Sequence, residues 1–100
     1  MTILIDPKLK NYMEKHGYNA IVLDVSLCYT WAGVVKDLSA RFADSNETDS
    51  LSGKGYTSIE TETGNVYFKS GRIAFKEKVL FSLSSFLWSR QISVLGARAI

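Results

Sequence analysis

The chain of 100 residues is poor in the residues that build metal sites and covalent chemistry. It has one cysteine, Cys28, one histidine, His16, and one proline, Pro7. A single cysteine cannot close an internal disulfide, which excludes the stapled frameworks of small secreted domains. A zinc site of the usual kind draws about four ligands from paired Cys and His spacings. A cysteine nucleophile needs a neighbouring base, and His16 is the one histidine available. Long apolar runs are missing too. Asp24 interrupts the stretch 20–35 and four serines dilute 79–89, so nothing approaches the ~18 residues of a membrane span. The N-terminal apolar run stops at Asp6 and Pro7, too short for a signal peptide. Neither sign of charge dominates: the net charge is +2, too little to recruit nucleic acid or an anionic membrane. The expectation is a cytoplasmic, non-enzymatic protein with neither nucleic acid nor membrane as partner.

What is present is an ordinary globular balance, 46% hydrophobic and 22% charged. Its length suits one domain, residues 1–100. "DPKLKNYMEKHG" reads as a complete helix. Asp6 suits the N-cap, and Pro7 the first helical position, where its missing N–H costs nothing. Leu9, Tyr12, Met13 and His16 recur at helical spacing. Gly17 suits the left-handed stop.

Beyond the helix the pattern turns to strands. In 20–28, Ile21, Leu23, Val25 and Leu27 share one face and are expected in the core. Asp24, Ser26 and Cys28 share the other with Ala20 and Val22. In 34–42, Val34, Leu38, Ala40 and Phe42 share a face. "YTSIETETGNVYF" reads as a hairpin turning near Gly64-Asn65. "VLFSL" and "ISVL" are further strands, and "SGRIAFKEK" fits a strand or one helical turn. Nine polar residues in the twelve of 44–55 predict a solvated loop. Helix first and then a run of short strands argues α+β, one N-terminal helix packed on a mostly antiparallel sheet or sandwich.

Few residues are candidates for chemistry. Cys28 is a metal or cluster ligand, a nucleophilic thiol, or an inert small hydrophobe. His16 reads as a helix-end residue favoured by the dipole. Glu60 and Glu62 share a strand face between threonines, which suits solvent better than acid–base catalysis. "SGKG" at 52–55 lacks the length of a phosphate loop. "FSLSSFLWSRQI" interleaves aromatics with Arg90, as a base-stacking surface does, but the small net charge favours core and interface rim. Trp31 and Trp88 are the largest hydrophobes. Either one, if exposed, marks a surface for a protein partner or for self-association.

The order of these pieces resembles the HesB-like proteins, the fold of the A-type iron–sulfur carriers. A short strand, a helix ending at Gly17 and "AIVLDVSLC" look like their start. The closer resemblance is to small relatives with a double-cysteine or selenocysteine motif, where a hydrophobic strand runs into C-G-x-C-C-G. "GNVYF" at 64–68 resembles their central strand. "VLFSLSSFLWSRQISVLG" at 79–96 resembles their C-terminal strand pair, with Phe86-Leu87-Trp88 in place of the aromatic cluster. The resemblance implies a HesB-like α+β fold and a kinship with iron–sulfur cluster assembly. It also sets Cys28 at the motif's first cysteine, in a loop, and Gly33 at its last glycine. Trp31 and Ala32 stand where the cysteine pair would be, and the chain ends "GARAI" without the carriers' C-G-C. One thiolate cannot hold a cluster that needs about four ligands. The implied reading is a divergent relative with no cofactor. The alternatives are iron or cluster handling through Cys28 across a dimer, and a single-thiol redox protein.

Overall fold

The computed structural model describes residues 2–61, 64–86 and 89–100, except for the side chains at 52, 85, 86 and 89. Local signals set the first elements. β1 (Thr2–Ile5) leads into α1 (Pro7–His16). The Asp6 carboxylate accepts the Lys8 N–H at 2.8 Å, and Gly17 ends the helix at φ +72°. Leu9 and Met13 are fully buried, whereas Tyr12 is half-buried and His16 exposed. Burial of each of the first two contributes about 1.5–3 kcal/mol.

The strands form two sheets. In the first, β6 (Ile73–Phe86) pairs with β1 in parallel and with β7 (Ser89–Ala99) antiparallel. In the second the order is β3 (Gly33–Ala43), β2 (Ala20–Thr30), β5 (Gly64–Phe68), β4 (Thr57–Thr61). There β2 pairs antiparallel with β3 and parallel with β5, and β4 antiparallel with β5. The expected hairpin at 57–68 is present, with Gly64 opening β5 opposite Thr61. "SGRIAFKEK" resolves as strand, and several strands are long rather than short. A large bulge sets Lys76 to Val79 of β6 against Gly96 of β7. Gly96 has φ +91°, and a Cβ there would stand 2.2 Å from the Lys78 carbonyl oxygen. Only glycine satisfies both conditions.

The main core lies between the sheets and under α1. Ile5, Leu9, Met13, Ile21, Leu23, Val66, Ile73, Val79 and Phe81 form it. A second cluster covers the other face of the second sheet, with Ala20, Val22, Ala43 and Leu51. The start of β2 is therefore buried on both faces, Ala20 to Leu23 without a break. Alternation begins to matter only beyond Leu23.

The segment 44–55 and Leu27 both depart from the pattern expected of the sequence. The segment 44–55 is not a loop: it holds α2 (Ser45–Leu51) and a 3-10 turn, Ser52–Lys54. Asp44 starts α2 by accepting the Glu47 N–H at 3.0 Å, and Leu51 anchors it in the second cluster. A helix held by one apolar residue shows no apolar period. Leu27, expected in the core, is 53% exposed. It keeps the phase of Ile21 and Leu23, but β2 has by then run past the layer that covers them.

Candidate functional site

The ladder between β2 and β3 decides which residues share a face, because directly opposed residues point the same way. On the core face Ile21 opposes Phe42, Leu23 opposes Ala40 and Val25 opposes Leu38. The same row continues with Leu27 opposite Lys36 and Tyr29 opposite Val34. An apolar face that begins in the core thus runs out into solvent. Tyr29 is 79% exposed, and Val34 is exposed beside it.

The hairpin closes through Trp31 and Ala32, with Thr30 opposite Gly33. The Thr30 hydroxyl donates to the Gly33 carbonyl at 2.9 Å and accepts the Ala32 N–H at 3.3 Å. Gly33 takes φ +131°, a conformation that side chains disfavour. These contacts hold a tight turn where the sequence suggested a loop after Cys28. Trp31 sits at its tip at 101% relative exposure.

Cys28 lies within β2, not in a loop, opposite Val35. Its thiol is free and exposed, on the face opposite to the Leu27–Tyr29 row. Among the described residues no three His, Cys, Asp or Glu side chains come together as a metal site. His16 is at the end of α1, its ring 4.3 Å from that of Tyr12 and 6.3 Å from that of Tyr18. Glu60 is exposed on β4. Trp88, Leu87 and Glu62 lie outside the described residues, so of the two tryptophans expected to mark a partner surface if exposed, the structure describes Trp31. The residues present do not fit an iron–sulfur cluster: the chain has one thiolate, with no grouped donors beside it among the described residues.

Sequence reasoning missed one polar cluster. Arg41 of β3 is ion-paired with Asp24 of β2 at 3.4 Å and with Glu47 of α2. Partial burial works against the Arg41 charge, but Glu47 and then Asp24 outweigh it and hold the guanidinium above its ordinary value. The Tyr56 hydroxyl donates to Asp24. That hydrogen bond first, and burial second, raise the phenol's pKa. Lys69 stands 5.2 Å over the Tyr56 ring. The cluster ties α2 to the second sheet. Asp24 lies 17 residues from Arg41 and 32 from Tyr56 in the chain, and no local pattern announces these contacts.

The sequence model of the CC/Se motif containing family matches residues 1–97. The chain belongs to this family. Among solved structures it is similar to Escherichia coli SufA, a protein involved in the biosynthesis of iron-sulfur clusters. The match has a TM-score of 0.51 over 95% of this chain and 80% of SufA, at 11% identity. At that identity the likeness is one of fold. No match was found among curated proteins. This member of the CC/Se motif containing family has Trp31 and Ala32 at the hairpin turn, the place that the resemblance gave to the cysteine pair.

Proposed function

We propose that the chain is a non-enzymatic binding module that has exchanged thiolate ligation for hydrophobic contact at the β2–β3 hairpin. It engages a protein partner or a second copy of itself and holds no resident cofactor. The observation that carries this reading is the fully exposed Trp31 at the tip of a tight turn. A tryptophan on a rigid turn offers a large anchor at small entropic cost. It cannot replace a cysteine as a ligand, because its indole nitrogen only donates.

Sedimentation velocity and anaerobic reconstitution with iron and sulfide test the reading together. The expected result is no stable cluster. Trp31→Ala weakens self-association or partner binding by about 2 kcal/mol or more, on the scale of buried anchors. Cys28→Ser leaves stability and oligomeric state unchanged. A stoichiometric cluster that disappears in Cys28→Ser would overturn the reading. The exposure of the Cys28 sulfur supports a second one, in which the thiol handles iron or a cluster across a dimer or works in redox exchange. Thiol titration separates the redox case, since a reactive cysteine ionises well below ~8.5.

A further inference from the structure

Sheet edges invite other backbones, and most edges of this chain are guarded. Among the described residues, β1 is four residues long, β4 carries the exposed Glu60, and β3 and β7 lie against each other. The outer part of β2 has no such protection. β5 meets β2 only at Ala20–Val22. The next residues, Leu23 to Val25, share a shallow recess with Lys69, Arg72 and Ile73. From Ser26 to Thr30 no described strand lies on the edge away from β3, and all five residues are exposed. This run holds no charge, proline, glycine or bulge, the devices that keep an edge from pairing. Its backbone direction follows from the turn. Two residues join Thr30 to Gly33, the geometry of a hydrogen-bonded pair, and bonded pairs alternate with open ones along the ladder. Ser26 and Cys28 therefore bond toward β3, whereas Leu27 and Tyr29 aim their N–H and C=O at the open edge.

We infer that this edge takes a second copy of the chain, β2 against β2, antiparallel about a two-fold axis at Cys28. The inference rests on the hairpin contact proposed above and names its occupant. The free run is centred on Cys28, so Leu27 of each copy falls beside Tyr29 of the other, and each supplies the backbone groups that the other leaves open. A two-stranded ribbon is marginal in water, and the pairing makes it four-stranded, with Leu27, Tyr29 and Val34 of both copies on one face. An uncharged edge neither repels its own copy nor selects a charged partner. The same register brings the Trp31 turn of each copy to the recess beside Val25 of the other, where Arg72 can meet the ring. Trp31 and Tyr29, at about 150–250 Å² each, supply with Leu27 and Val34 much of the ~800 Å² per partner that a stable interface needs.

The test is sedimentation velocity of the full chain over a concentration series, with no metal added. The expected result is a monomer–dimer equilibrium. Leu27→Lys and Trp31→Ala each weaken it by about tenfold or more. Both side chains are exposed in the single chain, so circular dichroism stays unchanged. Glu60→Lys on the β4 edge leaves the equilibrium unchanged. Amide hydrogen exchange of the wild type reads the edge itself: Leu27 and Tyr29 slow as the dimer forms, while Ser26 and Cys28 change less. A short bismaleimide joins the two Cys28 thiols in the dimer. A monomer at every concentration overturns the inference and leaves the hairpin to a different protein. A dimer in which Leu27 and Tyr29 still exchange freely, or one that survives Leu27→Lys, overturns it too. The underlying reading fails by a different result, a cluster lost in Cys28→Ser, which overturns both.

Discussion

Leu23 and Leu27 carry the same side chain on the same face of β2. One is 1% exposed and the other 53%. Leu23→Ala therefore removes packed atoms and leaves a cavity, at a cost of about 2–5 kcal/mol. Leu27→Ala changes stability by about 0.5 kcal/mol or less, since its side chain is half in water already. Urea titration of both variants checks the contrast. Tyr56 gives a pH prediction. Its folded pKa is raised above the ordinary 10.0, first by the hydrogen bond to Asp24. The folded chain then holds the phenol proton more tightly than the unfolded chain does. That stabilisation is present below pH 10 and is lost as pH rises through the higher folded value. The wild type should lose stability more steeply than Tyr56→Phe in alkaline thermal melts. The sequence showed the phase of β2, because alternation is local. It could not show where the covered stretch ends, because α1 and the first sheet do the covering.

The helices show the same division. α1 was legible from end to end, since its cap, first-turn proline and stop are all local chemistry. Asp6→Ala should cost about 1 kcal/mol in denaturant titration, because it removes the acceptor for the Lys8 N–H. α2 was not legible, because Leu51 is its one buried residue and sets no apolar period. Asp44→Ala should cost a similar amount, about 1 kcal/mol, by the loss of the acceptor for the Glu47 N–H. An unchanged midpoint in either variant would mean that water replaces the carboxylate fully. The β2–β3 hairpin falls between the two cases. Its strands were legible by alternation. Its two-residue turn was not, because Thr30 closes it with side-chain bonds that no turn dipeptide signals.

At the scale of the molecule, the two sheets enclose the core, and β2 and β3 carry its apolar face past the rim. The resemblance to HesB-like proteins made the α+β architecture legible in the sequence, and the likeness of fold to SufA supports it. That β3 and β7 end their sheets was beyond reach, because edges are defined by which strands fail to pair. The pairing of β1 with β6 bears on how the protein is made. β1 lies parallel to β6, with Thr2 beside Lys78 and Ile5 beside Phe81. A growing chain therefore emerges from the ribosome with its first strand lacking its partner until most of the rest has been synthesised. α1 can form early from its own caps, but Leu9 and Met13 stay uncovered until Val79 and Phe81 arrive. Such late closure between distant segments slows folding. Until then the apolar stripe of α1 stays open to non-native contacts.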